Sequence, residues 1–189
     1  MADVDVRPVT PSRWKDLTTL FGPRGAYSGC WCMWFRETNA EFQRKGKRGN
    51  RRAMNTLVRG NRQPGLLAYV DGEPAGWVSV APRGEFGRIE RSNVLKRLDD
   101  EPVWSVVCFF IDRRFRGTGL GKRLLEAATT HAARKGARIV EGYPWDTRTG
   151  RKLPNAEAYI GLLSMFEEAG FREVARRSRS RPIVRKEVG

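Results

Sequence analysis

The sequence predicts an α/β (α+β) protein: a single domain with a mixed central sheet and helices on both faces. Three observations point there. A hairpin pattern falls early, in "GLLAYVDGEPAGWVSVAP". A strand–turn–helix–strand unit occupies the middle, from "PVWSVVCFFID" to "ARIVEGYPW". Two short runs, "FREVARRS" and "PIVRKEV", close the chain as strands. A length of 189 residues fits one domain, and a hydrophobic content of 40% supplies a core.

Taken in order, residues 3–9 "DVDVRPV" alternate and predict a first strand. In "TPSRWKDLTTLF", Thr10 is an N-cap and Pro11 the first helical residue. "GPRGAYSGCWCMWFRE" opens with turn residues and ends in a dense aromatic group, Trp31, Trp34 and Phe35. "KGKRGN" predicts a flexible basic loop, after which Asn50 caps a helix to about Val58, ended by Gly60. In the hairpin, two apolar runs flank the turn signal "DGEP". "ERSNVLKRL" predicts a short helix. "PVWSVVCFFID" is a continuous β-branched and aromatic run, the pattern of a buried central strand. A glycine-rich turn and a helix to about Lys135 follow, stopped by Gly136. After the buried strand "ARIVEGYPW", "AEAYIGLLSMFEEAG" predicts a helix ending at Gly170.

Composition excludes several classes. No apolar run approaches the roughly 18–20 residues a membrane span needs, and the acidic start carries no secretory h-region. The expectation is a cytoplasmic protein without membrane contact. Three cysteines argue against a disulfide framework. Cys30 and Cys32 form a C-x-C pair, with only Cys108 and the single His131 to complete a zinc site, so no metal is expected. His131 falls on an apolar helical face with Leu124, Ala127 and Ala128, the place of a core or interface histidine.

The net charge of +15 is local. Residues 36–62 hold nine basic and two acidic side chains, 112–123 five and one, and 171–189 seven and two. Such patches point to a polyanionic ligand and disfavour cationic acceptors such as polyamines.

The central turn is "RRFRGTGLGKRLL", residues 113–125. A helix N-terminus leaves backbone amides unpaired and carries partial positive charge, so placed straight after a strand it can cradle phosphate. Gly117, Gly119 and Gly121 let the backbone turn and approach an anion, and Arg116 and Lys122 add counter-charge. The spacing G-x-G-x-G matches neither the dinucleotide fingerprint nor the Walker pattern.

"FFIDRRFRGTGLGKRLLEAA" resembles motif A of the GNAT superfamily of N-acetyltransferases, through Arg116-x-x-Gly119-x-Gly121 after a central strand. The resemblance runs from about residue 65 to the end, with elements in family order. It implies a single GNAT domain with a splayed central strand pair: residues 1–64 form the acceptor side and 65–189 the acyl-CoA-binding core. It implies acetyl-CoA as co-substrate, held at Arg116, Gly117, Thr118, Gly119, Leu120, Gly121 and Lys122. Phe109, Phe110 and Ile111 would run beside the pantetheine arm, where the strands ending at 111 and 143 part.

The sequence departs from the family at the proton donor. Phe166 stands where the family often has Tyr, and Tyr159 where Asn is frequent. Tyr159 and Ser164 are the substitutes on the same helix. For the base, Glu141 inside a buried strand is either catalytic or paired with an Arg, and Glu101 precedes the central strand. Trp31, Trp34, Phe35 and Trp77 would wall an acceptor pocket or serve as core.

The implied reaction is acetyl transfer to a primary amine of a small molecule. The second reading is a GNAT-like protein using aminoacyl-tRNA, or binding nucleic acid, through the basic segments 36–62 and 171–189. A homodimer is left open.

Overall fold

A computed structural model describes residues 3–150 and 158–189. Among the described residues the strands are β1 (Val4–Pro8), β2 (Gly65–Val70), β3 (Glu73–Pro82), β4 (Val103–Ile111), β5 (Ile139–Gly142), β6 (Arg172–Arg176) and β7 (Pro182–Glu187). They form one sheet in the order β1-β2-β3-β4-β5-β7-β6. The β4–β5 pair is parallel and every other pair antiparallel. The helices are α1 (Trp14–Phe21), α2 (Asn39–Arg59), α3 (Gly87–Glu90), α4 (Leu120–Arg134) and α5 (Leu163–Glu168).

Alternation along the strands divides the core between the two faces. Leu66, Ala68 and Val70 of β2 join Leu124, Leu125 and Ala128 of α4 and Phe166 of α5. Leu67 of β2 and Trp77 of β3 instead join Leu17 and Phe21 of α1 and Met54 and Val58 of α2. The hairpin turn is built as the sequence predicts. Asp71 and Gly72 are both left-handed, φ 49° and 83°, as a two-residue turn between twisted strands requires.

Three expectations are corrected. The basic segment at 45–50 is helical, because α2 begins earlier, at a capping box: Thr38 Oγ1 accepts from the Glu41 amide while the Glu41 carboxylate accepts from the Thr38 amide. The glycine in that segment, Gly46 (φ 56°, ψ −170°), is itself non-helical, and α2 is two helical stretches joined across a kink there. Asn50 is therefore no cap; it is buried and donates to the Gly29 carbonyl, tying α2 to the loop before it. The segment "ERSNVLKRL" forms turns after its first residue, Glu90, which ends the short helix α3. The helix expected over 156–170 is divided. A 3-10 turn at Ala158–Ile160 precedes a left-handed Gly161 (φ 82°), and only then does α5 begin. Residues 156 and 157 lie outside the described residues.

His131 sits on the buried face of α4, edge-on to Trp104. Burial, with Lys135 and Arg134 nearby, holds its pKa below the ordinary value of 6.5. Above that value both folded and unfolded chains carry a neutral imidazole. As pH falls through it, the unfolded chain takes up the proton first, so stability is lost toward acid. Urea unfolding at about pH 8 and about pH 5.5 is expected to show this loss, and His131→Gln is expected to reduce it.

The feature that positions the site is a bulge in β4. Ser79 pairs with Cys108 and Val80 with Val106, leaving Val107 unpaired. One extra residue shifts the side-chain alternation and bends the strand. Before the bulge, Trp104 and Val106 face α4; after it, Phe109 and Ile111 do. Cys108 and Phe110 face the α1–α2 side. The β4–β5 ladder stops at Val106–Gly142. Beyond Gly142, Pro144 has no amide to donate, and Trp145 pairs with the 161–163 segment instead. Residues 107–111 of β4 thus have an open edge on the side away from β3.

Candidate active site

The turn after β4 carries two left-handed glycines, Gly117 (φ 78°) and Gly119 (φ 81°), and Gly119 is the N-cap of α4. A Cβ built on either meets nothing within 4 Å, so both face open space. Among the described residues, none of the five consecutive amides of 117–121 donates to a carbonyl or side chain. Five amides at a helix mouth form an anion cradle. Arg116 is exposed, with Nε donating to the Ile111 carbonyl (3.0 Å). Gly121 serves packing: a Cβ there would lie 3.1 Å from Met165 Sδ.

Beside the cradle, a channel of about 570 Å3 runs along the open edge of β4. It is lined by Phe109, Phe110, Ile111 and Arg116 on one side and Tyr27, Ala158 and Tyr159 on the other. At its inner end an apolar cavity of about 250 Å3 opens toward α1 and α2. Its wall includes Trp34, Phe35, Phe42, the three cysteines and again Tyr159.

The cysteines converge although 76 residues separate two of them. Cys32 Sγ lies 3.2 Å from Cys108 Sγ and accepts from Trp77 Nε1 at 2.9 Å. Burial, reinforced by Cys108, pushes the Cys32 thiol well up. The contact with Cys32 and then burial push Cys30 up likewise. All three are free thiols. Among the described residues no group of three or more His, Cys, Asp or Glu side chains could hold a metal.

The loop that closes the cavity is strained. Ala26, Ser28, Trp31 and Cys32 all have positive φ, between 45° and 66°. Left-handed non-glycine residues cost of order 1–3 kcal/mol each, and such costs cluster where geometry serves a site. Ala26 and Ser28 flank Tyr27, which is 60% exposed and lines both cavity and channel.

The three expected proton-handling residues are separated. Tyr159 is in the wall of channel and cavity. Ser164 is exposed on α5 and reaches neither wall. Glu141 is fully buried in an ion-pair cluster. Its Oε1 accepts from Arg83 Nη1 and the Tyr143 hydroxyl, both at 2.6 Å, and its Oε2 from Arg185 Nε at 2.7 Å. Of the two places the sequence left open for it, base or partner of an Arg, the structure shows the pairing: both oxygens are engaged, and Glu141 lines neither cavity nor channel. Burial, with Glu141 beside it, pushes the Tyr143 phenol up, so that hydroxyl stays a donor. Glu101 is exposed at the opposite end of β4 from the glycine turn, beside Arg138 and Glu187.

Phe166 is fully buried, edge-on to Phe109 and Phe171. Its ring lies against Gly142, where a Cβ would come within 2.2 Å of Cε1. Of the expected acceptor-pocket aromatics, Trp34 and Phe35 line the cavity. Trp31 and Trp77 are core, packed on Phe21. Sequence reasoning missed Tyr27 and Phe42. The density of glycine around Tyr27 was the available signal, since such loops present side chains on irregular backbone.

A strand that leaves its neighbour, an anion cradle at the next helix and a channel between them define an α/β fold for an extended, phosphate-bearing ligand. The model of the acetyltransferase (GNAT) family matches residues 30–149. The chain belongs to that family, and the protein is an acyltransferase. Solved structures share the fold. A putative GNAT acetyltransferase from Desulfovibrio desulfuricans superposes with a TM-score of 0.57 at 16% identity, covering 99% of this chain and 100% of its own. PaiA N-acetyltransferase from Thermoplasma acidophilum, in complex with coenzyme A, gives 0.54 at 15%, with 98% and 99% covered. YncA, a putative acetyltransferase from Salmonella typhimurium with acetyl-CoA, gives 0.55 at 14%, with 98% and 94% covered. No curated protein matches this chain. No described helix is long and apolar enough to cross a membrane.

Proposed function

We propose that the protein transfers the acetyl group of acetyl-CoA to a primary amine of a small molecule. The observation that carries this is the run of unpaired amides at 117–121 beside the open edge of β4. The cradle fits a pyrophosphate, and the strand edge fits the amides of a pantetheine arm. The PaiA and YncA structures hold coenzyme A and acetyl-CoA, which supports the same donor here.

When bound, acetyl-CoA supplies an activated acetyl thioester. The chain supplies the rest. The amides of 117–121 hold phosphate, with Arg116 and Lys122 as counter-charge. Phe109, Phe110 and Ile111 line the arm and exclude water. The residues 1–64 side brings the acceptor against β4, and holding the two reactants together is the main contribution. Among the described residues no carboxylate lines the cavity or the channel, and the amine's proton is assigned to water. Tyr159 Oη holds the proton for the departing thiolate. Ser164 faces solvent, and Phe166 has no proton to give.

Tyr159→Phe tests the assignment. kcat is expected to fall about 100-fold, the lower end for loss of a general acid, and the basic limb of its pH profile to disappear. Calorimetry with CoA separates lost binding from lost proton transfer. A wild-type kcat and profile would return the proton donor to water.

The tRNA reading has one observation for it. Arg44, Arg48, Arg52 and Arg59 are exposed on α2 and form no ion pair among the described residues. The 171–189 segment supports it less. Arg176 and Arg185 are committed to Asp146, Glu173, Asp99 and Glu141, and Arg177 to the carbonyls of Lys96 and Arg97.

A further inference from the structure

Three cavities meet at the inner end of the site, and Tyr27 and Phe110 line all of them. The first is the channel along β4. The second is the apolar cavity of aromatic rings and thiols. The third is an open cleft of about 840 Å3 on the α1–α2 side, lined by Arg24, Lys47, Arg113 and Arg116. Among the described residues its one acid is Asp112, already taken by Arg114 through the backbone amide (2.9 Å) and Nε (3.3 Å). Arg24, Lys47 and Arg113 form no ion pair among the described residues; the Lys47 ammonium donates to the Pro23 carbonyl at 3.1 Å. Among the described residues the cleft is therefore positive, next to a cavity without charge.

We infer that the acceptor is an α-amino acid with an apolar side chain. This deepens the proposed function and rests on it. Three arms diverge from such a molecule's α-carbon, and three cavities diverge from Tyr27 and Phe110. The amine faces the channel, where the thioester lies. The side chain enters the apolar cavity, whose volume of about 250 Å3 suits a branched aliphatic or single aromatic group. The carboxylate lies in the cleft against Arg24 and Lys47, since Arg116 is used by the donor's phosphates. A two-carbon acetyl group leaves the cavity unfilled, so the acceptor fills it. A polyamine would put charge into an apolar wall and beside like charge, both costly.

The bond formed is N–C(O) of the acetamide and the bond broken is the thioester C–S. The ammonium's first proton goes to water; Tyr159 Oη protonates the leaving sulfur, which departs as the thiol, and the second proton lost by the nitrogen restores Tyr159 through solvent.

The test measures kcat/KM with acetyl-CoA for L-leucine, L-phenylalanine, L-leucinamide, L-aspartate and spermidine. L-Leucine and L-phenylalanine are expected to lead, with L-leucinamide and L-aspartate each at least 10-fold lower. In the Arg24→Ala, Lys47→Ala variant the preference for L-leucine over L-leucinamide is expected to collapse, while CoA affinity by calorimetry stays as in wild type. Spermidine or L-leucinamide as the best acceptor overturns the inference and leaves the proposed function standing. An undiminished preference for L-leucine in the variant overturns the placement of the carboxylate. CoA binding with no amine acetylated overturns the proposed function itself. No CoA binding removes the donor site on which both rest.

Discussion

Gly119→Val is expected to raise the dissociation constant for CoA by about 100-fold or more, nearly 3 kcal/mol. Two costs combine. Gly119 is left-handed, at φ 81°, and a β-branched residue is strained there by of order 1–3 kcal/mol whatever the space around it. The turn relieves that strain by moving, which misaims the amides of 117–121. Lost amide contacts to a charged phosphate add a further cost of about 1–3 kcal/mol. Because no side chain lies within 4 Å of the would-be Cβ, the protein core is not overpacked and the variant folds. Calorimetry with CoA reads the effect. An unchanged affinity in a folded variant would remove the cradle as the donor site.

Glu141→Gln is expected to destabilise the fold by about 3–5 kcal/mol, the range for breaking a buried ion pair by removing one partner. Arg83, Arg185 and the Tyr143 hydroxyl converge on this one carboxylate, so a neutral amide leaves two guanidinium groups short of counter-charge. Arg83 lies in the turn after β3, Glu141 in β5 and Arg185 in β7, so the cluster braces the sheet across the base of the splay. Denaturant unfolding measures the loss. The pH profile of kcat for the folded fraction should not move; a lost acidic limb would restore Glu141 as the base.

Most of the strand, glycine turn and helix around the channel was legible in the sequence because its signals are local. The run over 103–111 is apolar and β-branched, Gly119 precedes a helix, and Gly136 follows it, each signal within a few residues of its effect. The thiol-lined cavity and the ion-pair cluster were less legible because their contacts are distant in sequence. Nothing near Cys32 announces Cys108, and nothing near Glu141 names Arg83 or Arg185. The error on α2 had a different cause. Glycine and charge in "KGKRGN" outweighed the local capping signal, Thr38-x-x-Glu41, which starts the helix seven residues ahead of Lys45. The helix expected after 156 failed at Gly161, whose positive φ admits the chain to the channel wall.

The supernumerary Val107 makes the site depend on the parity of β4. Shorten that strand by one residue and the order of side chains is kept, but each later one turns to the opposite side of the sheet. Cys108 and Phe110 would point into the α4 side, while Phe109 and Ile111 would point toward α1 and α2. The side chains that β4 presents to the channel and the cavity would change without a single substitution. The lining of the candidate site is therefore encoded in a count of residues as much as in their chemistry.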